Sequence, residues 1–484
     1  MKSKLLSFKY KVQSTKYKMI AVLFTVMTIS SVIAQTKENS SATQSKQASF
    51  SLKQCLDYAL QNQTSMKNAT LNEAIAQAKV GEVAATGLPQ INGSVQLSTN
   101  DPLRRMFFDP NNPSIRPLIE GFTGGAPLPD SKIMAVPNIF QLTSGGDAGV
   151  TISQLIFSGS YIVGLQAAKT YKELSSKATK QTKIDLTESV TKAYYMVLVN
   201  EERLKLFEKN VERVDSLLTQ TKVMFDNGMV ESIDVDRIQV TYNNIITQKE
   251  NFNNLLALSK VLLKYQMSMP LDSAITLTEK IADFKVENIP TSTQKLNYSD
   301  RIEYSLLESQ KKLEMLDLKN NKAANLPSLA AFGNVGLFSQ SPKFDYFTSS
   351  NTWYNYGLFG ATLNVPIFSG LGRQRKIQES QLSLKIAENK LTNMERTIDL
   401  QVKTAEITLK NSLSTLELQN KNTELANEVT RVAKIKYQQG VGTSLEITTA
   451  EASLLEAQTN YYSALYDALV AKVDYDKANG TLVK

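Results

Sequence analysis

The 484-residue chain contains no histidine and only one cysteine. Histidine is the usual general base of enzymes and the commonest metal ligand, so its absence removes the most frequent catalytic and metal-binding arrangements. The single cysteine, Cys55, cannot form an intrachain disulfide, and its apolar neighbours predict a buried, unreactive thiol. The sequence also lacks a glycine-rich phosphate loop, paired cysteines and a nucleophile with a histidine partner. We therefore expect no enzyme activity, no metal and no cofactor.

The first 34 residues have the composition of a secretory signal peptide. Residues 1–18 carry six lysines and no acidic residue, an apolar run covers 19–33, and a small-residue cleavage motif ends at Ala34. A transmembrane anchor is the alternative, but an apolar run of about 15 residues is shorter than the ~20 that span a bilayer. Removal of the six lysines lowers the net charge from +8 to +2. We therefore expect an exported protein, and nothing in its charge indicates nucleic-acid binding.

Two halves of the chain carry similar motifs in the same order. The motif IFSG at 156–159 recurs at 367–370, and FDNG at 225–228 recurs as YQQG at 437–440. The two pairs are offset by 211 and 212 residues, which indicates two copies of one structural unit. Each copy reads as helix, strand, strand, long helix and return helix.

The repeat predicts the organisation of the whole chain. The expected segments are a signal peptide at 1–34, a flexible N-terminal segment at 35–49, a first repeat at 50–270, an equatorial connector at 271–296 and a second repeat at 297–484. In the first repeat we expect strands at about 90–100 and 147–158, a long helix at 159–227 and a return helix at 231–267. In the second repeat we expect strands at about 328–338 and 356–368, a long helix at 371–439 and a return helix at 444–479.

The expected strands suit a membrane barrel. Ile91, Val95 and Leu97 alternate with polar residues, and strands of about 9–12 residues match the length of tilted transmembrane strands. Four strands cannot close a barrel, and an open sheet edge is not tolerated in lipid, so three copies of the chain would have to supply the wall. Trp353, Tyr354 and Tyr356 precede the last strand and are interpreted as a membrane-interface group, with a soluble aromatic cluster as the alternative.

The expected long helices have coiled-coil periodicity. About 69 residues from Gly159 to Asn227 contain no proline and would form a helix of roughly 100 Å. Apolar residues recur every seven positions in this stretch: Val190, Val197, Leu204, Val211, Leu218 and Phe225. A solvated coiled coil without a pore is the simpler interpretation of such a stripe alone. Together with the strands, it predicts a mainly α fold with a small transmembrane β part: a trimeric 12-stranded β-barrel on a long α-helical coiled-coil tunnel.

The ordered motifs resemble those of the TolC-like outer-membrane efflux proteins. The resemblance rests on the repeat, on VPIFSG at 365–370 followed by Arg373, and on the paired breaks at 225–228 and 437–440. It covers about 50–482 and implies a homotrimer in the outer membrane of a Gram-negative bacterium, with a tunnel in the periplasm. Such a channel is the exit duct of a tripartite efflux or secretion system, and its partners are outer-membrane lipid, a periplasmic adaptor and an inner-membrane pump. A periplasmic adaptor or a structural coiled-coil surface protein is the alternative function.

The resemblance also implies functional residues at the periplasmic tip, just after the two helix breaks. Asp234, Tyr437 and Glu446 are the expected aperture, where three-fold symmetry would collect six carboxylates and favour cations. The alternative is that Asp234 and Glu446 only stabilise helix N-termini electrostatically. The expected adaptor contacts are Phe225, Gly228, Gly440 and Gly442.

Gly442 departs from the family pattern. Members of the family can carry an arginine two residues after the second glycine, where it pairs with an acidic residue and holds the tip closed. Arg237 and Arg431 are possible substitutes, and the sequence leaves the choice between them open.

Overall fold

The computed structural model describes residues 48–122, 124–125, 133–138, 140–284, 297–346 and 351–483. The expected signal peptide at 1–34, all but the last two residues of the expected flexible segment at 35–49, and residues 285–296 of the expected connector lie outside these ranges. The described chain is mainly helical.

The elements of the first half follow one another in a simple order. They are β1 Ala48–Phe50, α1 Leu52–Asn62, α2 Thr64–Ala85, β2 Gln90–Thr99, β3 Arg105–Phe108, α3 Arg116–Phe122, β4 Met134–Pro137, β5 Ser144–Phe157, α4 Gly159–Asp226 and α5 Ser232–Gln266. The second half contains β6 Ile275–Leu277, α6 Ile302–Ala323, β7 Ser328–Ser341, β8 Tyr354–Asn364, α7 Gly372–Gln438 and α8 Ser444–Ala478. The long helices α4 and α7 have 68 and 67 residues, and the return helices α5 and α8 have 35 each.

Four strands form one antiparallel sheet in the order β2-β5-β7-β8. The central pairing of β5 with β7 joins the two halves of the chain, and β2 and β8 are the edges. Strand β8 ends at Asn364, four residues before the expected end at 368. The difference follows from Pro366, which has no N–H group to donate to a neighbouring strand.

Helix α4 is the central helix of the chain. Its first half contacts α2 and α6, where Tyr161 Oη donates to Ala84 O at 3.2 Å and Lys177 Nζ donates to Ser309 Oγ at 2.7 Å. From its middle onward it also contacts α5 and α8. In the described ranges, no helix combines the length and the apolar character that a membrane crossing requires.

Two apolar cores hold the helices together. The first surrounds Tyr194 and Leu263 and includes the fully buried Cys55, and the second surrounds Phe207 and Ile447 near the ends of the long helices. Burial, together with the negative charge of Glu279, raises the pKa of the Cys55 thiol to about 12. The prediction that this thiol is buried is confirmed, and its low reactivity stays a prediction.

Candidate functional site

The register of the sheet separates one apolar face from one mostly polar face. Residues paired directly across strands point to the same side of the sheet, so Ile91, Ile152 and Phe359 form one row. The apolar face continues with Val95, Leu97, Val150, Val335, Leu337 and Leu363. The adjacent row on the other face contains Asn92 and Thr151. Because most side chains of the apolar face are exposed, this face suits contact with hydrocarbon and the opposite face suits water.

The aromatic group at the start of β8 is divided between the two faces. Trp353 lies over Gly146 on the apolar face, where a Cβ added to that glycine would be 2.8 Å from the indole ring. Tyr354 and Tyr356 pair with Phe338 and Gly336, which lie on the polar face. The three rings therefore do not share one face of the sheet, because alternate residues of a strand point to opposite faces, and their assignment to a membrane interface stays a prediction.

The two edges of the sheet have no strand partner within the described chain. Strands β2 and β8 each pair on one side only, so their outer edges present free backbone N–H and C=O groups. Such groups are very unfavourable in hydrocarbon. A sheet with these two open edges would therefore need further strands as partners if it lay in hydrocarbon.

Exposed apolar residues also form stripes on two of the long elements. On α7 the exposed residues Leu400, Ile407, Leu418 and Leu425 are separated by steps of 7, 11 and 7. On α5 the exposed residues are Ile233, Val240, Leu255, Leu258 and Leu262. Within the described ranges, helix α7 packs on α6 and α8, and its stripe stays exposed. Stripes with this spacing pack against other helices in coiled coils.

The two helix breaks at the far end of the long helices have the same geometry. Gly228 and Gly440 both have φ of +71°, a conformation that favours glycine. The N–H of Gly228 donates to Phe225 O at 2.8 Å, and the N–H of the next residue donates to Met224 O at 2.9 Å. The same two bonds end α7 at Gly440, so both long helices finish in a Schellman cap.

Gly442 lies where the chain folds back against the end of α7. Its N–H donates to Lys436 O at 3.0 Å. A Cβ at this position would be 2.9 Å from the backbone nitrogen of Tyr437 and 3.0 Å from the Cβ of Lys436. An arginine at residue 442 would therefore require the backbone to move.

Asp234, Arg237 and Ser444 join the starts of the two return helices. Arg237 Nη1 lies 3.3 Å from Asp234 Oδ1 and donates to Ser444 Oγ at 2.5 Å, and Ser444 Oγ is also hydrogen-bonded to Asp234 Oδ1. Arg431 instead pairs with Glu428 on the exposed surface of α7, with 2.6 Å between Nη2 and Oε1. Of the two possible substitutes for the missing arginine, the structure places Arg237 between the tips of the two halves.

Both acidic residues of the expected aperture lie in the first turn of a helix. The N–H of Glu231 donates to Asp234 Oδ2 at 3.3 Å, so Asp234 also caps the start of α5. Glu446 is exposed, and its backbone N–H donates to Thr443 Oγ1 at 3.1 Å at the start of α8. Its carboxylate lies 3.6 Å from Lys436 Nζ. The geometry therefore supports the interpretation that Asp234 and Glu446 stabilise helix N-termini. This role is compatible with a second role at an aperture.

Tyr437 lies in the core of the tip. Its side chain is buried, and its Oη is 3.0 Å from Thr221 Oγ1 on α4. Because the Thr221 hydroxyl donates to Leu217 O at 2.9 Å, the Tyr437 hydroxyl is the donor to Thr221. Burial raises the pKa of Tyr437. In the single chain, Asp234 is partly exposed and Glu446 is exposed, whereas Tyr437 connects α7 to α4.

An ion pair with a buried carboxylate, which the sequence did not indicate, lies further along the same helices. Arg213 Nε on α4 is 2.7 Å from Oε2 of Glu451 on α8. The two atoms form an ion pair, but the N–H of Arg213 does not point at the oxygen as a hydrogen bond requires. Glu451 is 3% exposed, and burial raises its pKa even though Arg213 opposes this effect. The two residues are far apart in the sequence, so no local pattern could have revealed the pair.

Comparison with known proteins agrees with this architecture. The sequence profile of the outer membrane efflux protein family matches residues 55–263 and 317–481. Outer membrane protein TolC of Vibrio cholerae is 21% identical over 344 residues, which cover 69% of this chain and 76% of TolC.

Solved structures share the fold. A CusC structure has a TM-score of 0.70 at 15% identity and covers 91% of this chain and 95% of its own. The open state of the MtrE outer membrane channel of Neisseria gonorrhoeae has a TM-score of 0.68 at 17% identity and covers 93% of this chain and 95% of its own. Because the family profile matches more than half of its residues, the chain belongs to the outer membrane efflux protein family, whose members are transport proteins and not enzymes.

Proposed function

We propose that the protein is one subunit of a homotrimeric channel that forms the exit duct of a tripartite efflux or secretion system in a Gram-negative outer membrane. The observation that carries this proposal is the four-stranded sheet with one apolar face and two open edges. Three such sheets, joined β8 to β2, close a 12-stranded barrel and leave no free edge in lipid. The apolar face then contacts lipid and the polar face lines the lumen.

The helices form the tunnel below this barrel. Helix α4, with 68 residues, is about 100 Å long, which suits a duct that projects from the outer membrane through the periplasm. The apolar stripes on α5 and α7 pack against neighbouring subunits in this assembly. The alternatives are less well supported: the chain has two long helical hairpins and not the single hairpin of an adaptor, and its sheet has the lipid-compatible face that a surface coiled coil would lack.

The aperture lies at the tip, where the return helices begin. Asp234 and Glu446 provide carboxylates that attract cations, and Tyr437 holds α7 against α4 behind them. Arg237 holds the starts of α5 and α8 together through Asp234 and Ser444 and so takes the place of the missing arginine. Opening requires these contacts to separate.

The adaptor and the inner-membrane pump are proposed to engage the two caps at this tip. Phe225, Gly228, Gly440 and Gly442 belong to these caps, and Met229 and Val441 beside them are largely exposed. Their side chains are 72% and 78% exposed, which suits an apolar contact with a helical partner.

Conductance in planar lipid bilayers tests the channel and its aperture together. We expect the purified protein to form cation-preferring channels. The double variant Asp234→Ala plus Glu446→Ala should conduct more and lose most of its cation preference, because the carboxylates and the Arg237 contact are removed. The control is Glu417→Ala plus Glu424→Ala, which removes two acidic side chains from the exposed surface of α7.

Different outcomes test the aperture, the channel and the transported compound separately. Channels whose conductance and selectivity do not change in the tip variant would place the aperture elsewhere. Absence of any channel activity from correctly folded protein would contradict the channel itself. Loss of export in a deletion strain, restored by the intact gene, would identify the transported class of compound.

A further inference from the structure

The four strands of the sheet contain one acidic or basic side chain, that of Asp147. Asp147 pairs with Phe338 and Gln96, which place it on the polar face. It is the fourth residue of β5 and lies at the end of the sheet farthest from α4. In the proposed trimer, three copies of this carboxylate surround the extracellular end of the lumen. Among the described residues, no lysine or arginine forms an ion pair with it.

Tyr356 covers the sheet beside this carboxylate. Its Oη donates to Asp147 Oδ1 at 3.2 Å. A Cβ added to Gly336 would be 2.9 Å from the ring carbon Cζ of Tyr356, and one added to Gly149 would be 3.0 Å from Oη. The two glycines therefore let the ring lie close against the backbone, with its other face turned away from the sheet.

Two more rings complete the group. The ring centroids of Phe338 and Tyr354 are 5.8 Å apart, and those of Phe338 and Tyr356 are 6.2 Å apart at an angle of 61°. Tyr354 and Phe338 are exposed in the single chain. Tyr356 thus contacts the carboxylate, Phe338 pairs with Asp147 across the strands, and Tyr354 adjoins Phe338, all on the polar face of the sheet.

We propose that Asp147, Phe338, Tyr354 and Tyr356 form a binding site for organic cations, such as aromatic quaternary ammonium compounds, at the extracellular end of the lumen. A quaternary ammonium group is attracted by the faces of aromatic rings and by a carboxylate that, within the part of the chain the structure describes, forms no ion pair. An aromatic substituent on the cation would stack on the same rings. The site rests on the proposed channel function, which turns this face of the sheet toward the lumen.

Block of single-channel conductance by benzyltriethylammonium tests the site. We expect this cation, added to the side that the loops face, to reduce the conductance of the wild-type channel in a saturable way. Tetraethylammonium should block more weakly because it has no ring, and benzenesulfonate should not block because it is an anion. Asp147→Asn and Phe338→Ala should each raise the dissociation constant of the block by roughly tenfold. Asp147→Glu should restore most of the block.

Phe332→Ala is the matched control for Phe338→Ala. Phe332 lies on the same face and the same strand, six residues or about 20 Å nearer the helices, and its loss should leave the block unchanged. Asp147→Asn retains an oxygen that accepts the Tyr356 hydroxyl, so this variant should fold normally. Wild-type channels that conduct but are not blocked, or Asp147→Asn channels blocked like wild type, would overturn this inference and leave the channel in place. Failure of the wild-type protein to conduct would instead be a failure of the proposed function.

Discussion

At the scale of single residues, Gly442 is held in a space that admits no side chain. A Cβ there would press on the backbone of Tyr437, so Gly442→Ala should destabilise the second tip by about 1–3 kcal/mol. Hydrogen exchange of residues 436–445 should become faster in this variant.

Gly164→Ala is the control for this substitution. Gly164 lies inside α4, a Cβ there would meet nothing within 4 Å, and alanine favours helix. Exchange at the tip should therefore be unchanged or slower in this variant. Equal rates of hydrogen exchange in Gly442→Ala and the wild type would show that the turn accommodates a Cβ without loss of stability.

The buried Glu451 predicts a pH effect with a definite sign. Burial raises its pKa in the folded state, so the folded chain loses stability as pH rises from the usual carboxylate pKa of about 4 through the raised value. Glu451→Gln has no such loss. The difference in unfolding free energy between this variant and the wild type should therefore move in favour of the variant between pH 4 and pH 8.

Thermal unfolding followed by circular dichroism at the two pH values measures this difference. Glu428→Gln is the control, because Glu428 forms an exposed pair with Arg431 and its substitution should have little effect at either pH. A variant that loses stability relative to wild type as pH rises would mean that the attraction of Arg213 outweighs the cost of burial.

At the scale of elements, an ion-pair network joins α8 to α4. Lys477 Nζ lies 2.7 Å from both Asp185 Oδ1 and Glu188 Oε2, and Lys192 Nζ lies 2.6 Å from Glu188 Oε1. Burial alone would raise the pKa of Glu188, but the hydrogen bonds from both lysines hold it below its usual value. These contacts bridge two helices and are partly shielded from water, so they should contribute more than ordinary surface pairs.

Lys477→Met should lower the unfolding free energy by about 1–3 kcal/mol, because two carboxylates lose a shared partner. Lys421→Met is the matched control, since Lys421 pairs with Glu417 within α7 and both side chains are more than 60% exposed. Its effect should stay below about 0.5 kcal/mol. Similar losses in the two variants on thermal unfolding would show that the network does not connect the helices energetically.

The elements also show where a sequence pattern is informative. Helix α4 begins at the expected residue and ends one residue before the expected end, because the apolar heptads and the glycine after Asn227 define it locally. The short hairpin of β3 and β4 and the helix α3 were not expected within the loop that follows β2. The loop lacks the regular periodicity that distinguishes elements from connections.

The side of a strand or helix on which each side chain lies was harder to predict than the type of each element. Apolar alternation located β8, but the side of the sheet on which Tyr354 and Tyr356 lie depends on register, and a shift of one residue reverses it. Tyr437 was expected at an aperture, whereas in the single chain it is buried against Thr221. The contacts of Arg237 with Ser444, and of Arg213 with Glu451, join elements that are distant in sequence. Only the folded chain brings these residues together.

At the scale of the whole molecule, one chain leaves three surfaces incomplete: the edges of the sheet, the stripe on α5 and the stripe on α7. In the proposed trimer all three would be completed at once, because each β8 edge would meet a β2 edge and each exposed stripe would meet a neighbouring helix. A monomer would leave free backbone groups in the hydrocarbon of the membrane.

Native mass spectrometry of the purified protein in detergent measures how many chains the particle contains. We expect a particle of three chains that dissociates only when the detergent-solubilised complex is heated or denatured. A folded monomer that stays in solution without detergent would contradict it.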